Sequence, residues 1–373
     1  MRVGLNATCF SDRPSGARQR FVGIYGALIR RCPDIQFLIY EPADYAVSAW
    51  FAAAPNVRAI RMPVASAGRL GRAWRQWRHW PSRLAADELD LFEQYNLPLV
   101  RSPCPTILTI HDVRSTRADS GQPGRAIARM IHRQALVRAD AVITVSDTMK
   151  RELLALEPSA RVTTIYNGID PTRFAAPCDP AATLARHGLA HGYLLAVGHL
   201  EARKNYTTLI DAMSAMRLAR PDLSLLIVGE DGGERAALAR QISAVGLAGA
   251  VTLLSGISDD ELANLYRAAA LVVFPSRYEG FGIPLLEAMA TRRPVATSDI
   301  PVFVELSEGQ GVTFPPDDPA AIAATLLALL ANPARQQQLI AYGERRLADF
   351  DFNRLATEVE QLYRSLVVAR VGN

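Results

Sequence analysis

Thirteen short apolar runs, rich in Val, Ile and Leu and bounded by Gly, Pro, Asn or Asp, alternate with amphipathic stretches along the whole chain. In the first half they fall at 2–7, 35–40, 57–61, 89–93, 106–110, 140–145 and 161–165. In the second half they fall at 193–197, 223–228, 250–254, 270–274, 294–297 and 311–314. Between them the apolar spacing turns helical, as at 125–138, 205–219, 259–269 and 318–331. Strands that are apolar on both faces and separated by helices predict parallel sheets covered on both sides. The rhythm breaks once, at 167–188, where three prolines and weak periodicity predict a linker. The expected class is therefore α/β, with two doubly wound, Rossmann-like domains facing across a cleft. The predicted limits are 1–170 and 171–352, with a closing helix at 353–373 whose apolar spacing requires it to dock. In such sheets ligands bind at the carboxyl ends of the strands.

At 373 residues the chain suits two domains. It contains no apolar run of about 18 residues, so no membrane span is expected. The start, MRVGLNATCF, enters a strand pattern without the apolar core of a signal peptide, and a cytoplasmic protein is expected. Cysteines at 9, 32, 104 and 178 form no CxxC pair and no cluster with metal-ligand spacing, so reduced thiols are expected. The net charge of +4 is uneven: residues 1–172 hold 23 basic against 15 acidic residues, an excess that suits an acidic partner. Lys150 and Lys204 are the only lysines in an arginine-rich chain.

The segment FPSRYEGFGIPLLEAMA, 274–290, carries the densest chemistry. A strand ends there, Gly280 and Gly282 permit close approach of a ligand to the backbone, and Pro284 suits a first helical turn. The helix start offers N–H groups to an anion. Glu279 and Glu287, eight positions apart, would repel a phosphate but accept well from ribose and hexose hydroxyls. Taken alone, the same residues also suit an ordinary turn with solvated carboxylates.

These residues resemble the E-x7-E motif of family-4 retaining glycosyltransferases of the GT-B fold, with a mannosyltransferase flavour. The resemblance extends to VGHLEARKN (197–205), TIHDV (109–113), VSDTMKREL (145–153) and YNGIDPTRF (166–174), in the family's order and over essentially the whole chain. It implies that the helix at 353–373 packs back on the first domain, that Glu279 contacts donor-sugar hydroxyls and that Glu287 holds the ribose. The backbone of Phe281, Gly282 and Ile283 lines the sugar diphosphate. Arg203 and Lys204 neutralise the diphosphate, and His111 stands beside the sugar, with Asp112 fixing its loop. Gly256, Ile257 and Leu262 match the segment around the base. Many relatives carry Arg where this chain has His199, which leaves the phosphate contact to Arg203 or His199. The loop at 11–21, with Gly16, Arg18 and Arg20, would face the phosphates and acceptor, although many relatives have more glycines there.

The resemblance implies transfer of a hexose, with GDP-mannose the expected donor, to a glycan or polyprenyl-diphosphate-linked acceptor in polysaccharide or lipopolysaccharide synthesis. No cofactor and no metal are expected: no Asp-x-Asp is suitably placed, and cationic side chains supply the charge. The alternatives are a nucleotide-sugar epimerase of the same fold and a catalytically silent sugar-nucleotide-binding protein. One motif stands apart. Residues 68–84, GRLGRAWRQWRHWPSRL, interleave five arginines with Trp74, Trp77 and Trp80, which suits an anionic membrane surface or a crossover helix with its tryptophans packed inward. No nucleic-acid-binding motif accompanies it.

Overall fold

In the computed structural model, which describes residues 1–13, 15–52, 54–66, 80–118, 124–175 and 179–371, all thirteen apolar runs form strands. The chain divides into two compact units, Met1–Gly168 with Phe350–Asn373, and Ile169–Asp349. The first holds β1 (Arg2–Asn6), β2 (Gln36–Glu41), β3 (Val57–Arg61), β4 (Leu91–Gln94), β5 (Thr106–Ile110), β6 (Ala141–Thr144) and β7 (Val162–Thr164). They pair in the parallel order β3-β2-β1-β4-β5-β6-β7. The second holds β8 (Leu194–Val197), β9 (Leu225–Val228), β10 (Val251–Leu254), β11 (Leu271–Phe274), β12 (Val295–Ser298) and β13 (Val312–Phe314), in the parallel order β10-β9-β8-β11-β12-β13. In each unit the connections run outward in one direction from the first strand and then reverse. The two strands flanking each reversal, β1/β4 and β8/β11, mark the switch points at which such sheets bind ligands.

The units part between Gly168 and Ile169, inside the segment 167–188 expected as a linker, though that segment is not irregular throughout. It contains helices at Thr172–Ala175 and Pro180–His187. Asp179 caps the second by accepting from the Ala181 N–H (2.9 Å), Pro180 sits in its first turn, and Gly188 closes it with φ 63°. Pro171 and Pro180 stand at helix starts rather than break structure.

The first unit is closed by the last helix, Phe352–Val371. Leu355, Ala356, Val359 and Tyr363 join the core formed with Phe21, Ile24, Tyr25 and Leu28 of the first helical segment. Phe352 enters a slot that only glycines leave open: a Cβ on Gly23 would lie 2.2 Å from its ring, and one on Gly168 2.4 Å. Beneath this helix the buried carboxyl of Glu93 accepts from the hydroxyls of Tyr25 (2.5 Å), Thr109 (2.5 Å) and Tyr363. Burial pushes its pKa up, against the pull of those hydroxyls and of Arg20.

Two further expectations are corrected in this unit. Trp80 is fully buried between Tyr40 and Phe92, so it belongs to the core and not to a membrane surface. Trp74, Trp77 and the arginines at 69, 72, 75 and 78 lie outside the described residues, whereas Arg83 pairs with Asp87 at 2.7 Å. Arg20 is also fully buried. Its Nη1 donates to the carbonyls of Ile165 (2.8 Å) and Tyr166 (2.5 Å) and to Asn167 Oδ1 (3.3 Å), which ties the first helix to the end of β7, while its Nε and Nη2 are buried without a hydrogen-bond partner, away from the surface where an acceptor was expected. Cys9 is half-buried, Cys32 and Cys104 are buried, and Cys178 lies outside the described residues. Among the described residues no helix is long and apolar enough to cross a membrane.

Candidate functional site

The switch point of the second unit gathers the residues singled out around 197–205 and 274–290. After β8 the chain passes Gly198, makes a tight turn over Ala202–Lys204, and opens the helix Tyr206–Ala219 through Asn205. After the neighbouring β11 it passes Pro275 to Gly282 and opens the helix Ile283–Ala290, with Pro284 in the first turn. Gly282 has φ 118°, and a Cβ there would meet the Phe303 ring at 2.8 Å. The two loops are tied by backbone and side chain: the Arg277 N–H donates to the Arg203 carbonyl (2.8 Å), and Asn205 Nδ2 donates to the carbonyls of Pro275 (3.0 Å) and Pro316 (2.7 Å).

Glu279 is the centre of this arrangement. Its Oε1 accepts from Lys204 Nζ at 2.6 Å and from Ser276 Oγ at 2.8 Å, and its Oε2 accepts from Arg203 Nη1 at 2.7 Å. Arg203 Nε donates in turn to Glu201 (2.7 Å). Lys204 and Glu279 are 7% and 9% exposed, so the pairs are shielded but remain at the surface of the loop layer. Burial alone would raise the Glu279 pKa. The two cations outweigh it and bring the carboxyl down to about 2. Ser276 and Glu201 were not singled out from the sequence; neither residue type carries a signal without the fold.

Glu287, one turn into its helix, sits apart from this cluster. Its Oε2 accepts from Tyr266 Oη (3.0 Å), and burial raises its pKa to about 7. Phe281 and Ile283 are buried, and Gly282 is half-buried. Around the third loop, Gly256 (φ 69°) donates its N–H to Glu230 (2.8 Å), a partner the sequence reading missed, while Ile257 and Leu262 are half-buried. His199 is exposed. The loops after β8 and β9 meet backbone to backbone: a Cβ on Gly229 would lie 2.0 Å from the Gly198 carbonyl oxygen.

In the first unit, His111 follows β5. Its Nε2 is buried without a hydrogen-bond partner, and burial, aided by the charge of Arg20, lowers its pKa to about 3, so the imidazole is neutral. Asp112 accepts from the Arg114 N–H (3.1 Å) and fixes the loop. Gly16 begins the first helix, and Arg18 folds back over the Trp50 ring (5.0 Å) and donates to the Asp12 carbonyl. Among the described residues no group of three His, Cys, Asp or Glu side chains is placed to hold a metal ion.

Comparison with known proteins agrees with this layout. Residues 15–173 match the family described as Glycosyltransferase Family 4, and residues 188–346 the family described as Glycosyl transferases group 1. A lipopolysaccharide core biosynthesis mannosyltransferase of Rhizobium meliloti is 30% identical over 241 residues, covering 62% of this chain and 67% of that protein. A glycogen synthase of Mycobacterium tuberculosis is 35% identical over 267 residues, 69% of this chain and 63% of that enzyme, so the chain spans less than two thirds of its length. The sucrose-phosphate synthase of Thermosynechococcus elongatus shares the fold with a TM-score of 0.78 at 23% identity, covering 99% of both chains. Two parallel doubly wound sheets, a carboxylate held by Arg and Lys at the second switch point, and these matches together identify the chain as a member of glycosyltransferase family 4, with the GT-B fold.

Proposed function

We propose that this protein transfers a hexose from a nucleotide-sugar donor to an acceptor hydroxyl with retention of anomeric configuration. The observation that carries the reading is the convergence of Arg203 and Lys204 on the Glu279 carboxylate, at 2.7 and 2.6 Å, where the sheet order reverses. A bound diphosphate would take over the two cations, and Glu279 would then accept from hydroxyls of the sugar. Charge builds on the diphosphate as the bond from sugar C1 to the phosphate oxygen breaks, and fixed cations in a shielded site stabilise it. The acceptor oxygen bonds to C1 from the same face, and its proton passes to the departing phosphate oxygen. Glu287 accepts from ribose hydroxyls. His111, held neutral, serves the sugar as a hydrogen-bonding partner rather than as a proton source. Phe281, Gly282 and Ile283 present backbone to the sugar diphosphate, and Gly256, Ile257 and Leu262 flank the base.

No metal and no further cofactor enters this scheme. GDP-mannose as donor, and a glycan or polyprenyl-diphosphate-linked acceptor in surface polysaccharide synthesis, are supported by the mannosyltransferase among the relatives. Thermal stabilisation by a panel of nucleotide sugars tests the donor, because a bound ligand raises the melting temperature by linkage. Incubating the stabilising donor with candidate acceptors should release the nucleoside diphosphate and form an α-linked product. Interconversion of free nucleotide sugars without transfer would assign an epimerase instead, and binding without turnover a silent protein.

A further inference from the structure

The crossover helix Arg125–Arg138, between β5 and β6, has two faces that both carry apolar side chains. One face, with His132, Ala135 and Leu136, is buried. On the other, Ile127, Met130 and Val137 are 62%, 54% and 61% exposed. Among the described residues these are three of the eight large apolar side chains that remain exposed, and they lie within eleven positions of one helix. Their spacing, with Gln134 between, places them on a single outward stripe at about 3.6 residues per turn. Arg133 and, further round, Arg129 lie along one flank of the stripe and Arg138 on the other, while Arg125 falls on the opposite side of the helix. Beside it Arg101, Arg133, Arg138, Met130 and Val137 line a hollow of about 570 Å³. The one carboxylate lining this hollow, Glu157, is already engaged by Arg133 (2.9 Å) and by the Ser159 hydroxyl (2.7 Å).

An exposed apolar stripe bordered by arginines, on a helix whose back is held by the core, suits the headgroup boundary of a bilayer. The apolar side chains would enter the acyl boundary, and the arginines would meet lipid phosphates, with the hollow between Arg101 and Arg138 wide enough for a headgroup. A second copy of this chain fits less well, since an isologous contact would set the two arginine rows against each other. We infer that the outward face of Arg125–Arg138, with Arg101, docks this protein on an anionic lipid surface. This surface is separate from the residues assigned to transfer and does not depend on that reading.

Sedimentation of the full chain with vesicles tests it. The protein should pellet with vesicles of equal parts phosphatidylcholine and phosphatidylglycerol, not with phosphatidylcholine alone, and binding should weaken as salt rises. Arg129→Glu with Arg138→Glu should weaken binding by about tenfold or more. Ile127→Ser with Met130→Ser should do so by a comparable factor through lost apolar burial. Leu218→Ser, which alters an exposed leucine of the other unit, should leave binding unchanged. All four changed side chains of the helix are exposed, so an unaltered melting temperature will establish that the variants are folded. The inference is overturned if the parent does not bind, if it binds both vesicles alike, or if the helix variants pellet as the parent does. That last result includes the case in which only charge reversal at Arg72, Arg75 and Arg78 abolishes binding. A lipid-independent dimer dissolved by Ile127→Ser with Met130→Ser would assign the face to self-association and overturn it too.

Discussion

A Cβ on Gly198 would lie 2.9 Å from both Cε and Nζ of Lys204, so the missing side chain of one residue is what lets the ammonium of the other reach Glu279. Gly198 also has φ 148°, a conformation that other residues adopt only under strain. Gly198→Ala should therefore displace Lys204 and lower turnover by about tenfold or more, with a loss of about 1–3 kcal/mol in stability. Steady-state kinetics and a melting curve on the same preparation check both effects.

Arg203→Ala and Lys204→Ala should each reduce turnover by about 10²–10³, the usual consequence of removing a preorganised charge from a developing anion. Glu279→Gln should act differently. It releases the two cations from their carboxylate, so affinity for the nucleoside diphosphate alone should hold or increase while transfer falls. Calorimetric titration with the diphosphate, set beside turnover, separates the two; weaker diphosphate binding in Glu279→Gln would count against the exchange of partners.

Because Arg203 and Lys204 supply positive charge where the diphosphate is expected, turnover should persist in excess EDTA. Loss of activity in EDTA, with recovery on adding Mg²⁺ or Mn²⁺, would assign the charge compensation to a metal.

The two motif carboxylates should titrate in opposite senses. The Glu287 pKa is raised to about 7, so the folded state holds a proton that the unfolded chain has given up, and stability declines as pH rises from the ordinary carboxyl range to about 7. Glu279 is lowered to about 2, and its contribution is present above the ordinary carboxyl range and disappears as pH falls towards 2. Melting temperatures of Glu287→Gln against pH should lose the decline towards neutrality. Donor affinity of the parent should increase through about pH 7 as the Glu287 carboxylate forms and becomes a better acceptor for ribose hydroxyls.

Gly23→Ala should lower the melting temperature by several degrees, because its Cβ would stand 2.2 Å from the Phe352 ring and force the start of the last helix off the first unit. Phe352→Ala combined with Gly23→Ala should recover part of the loss, since the clash is then gone.

The central strands were legible because they are contiguous apolar runs buried on both faces, as in Leu194–Val197 and Leu271–Phe274, whereas the edge strand Val57–Arg61, with exposed arginines, showed mainly through its place in the alternation. The helix Pro180–His187 was not, because Pro180 at its first turn gives the same local signal as a loop. Arg20 could not be told from its neighbours: a buried arginine and a solvated one are the same letter, and only the acceptors at 165–167 distinguish them. Likewise nothing in the spacing of three tryptophans says that Trp80 packs against Tyr40 and Phe92. At the site, the pairing of Glu279 with Lys204 joins residues 75 positions apart, and it could be anticipated only through the motif resemblance.

The chain of Glu201, Arg203, Glu279 and Lys204, linked by ion pairs, sums to no net charge at neutral pH. Seen from about one Debye length away, an empty site of this kind exerts no pull on an approaching anion. Capture of the donor should then proceed at a rate that responds little to ionic strength, and discrimination should come late, at contact, where only a ligand bearing both a diphosphate for the cations and hydroxyls for the released carboxylate can replace every bond it breaks.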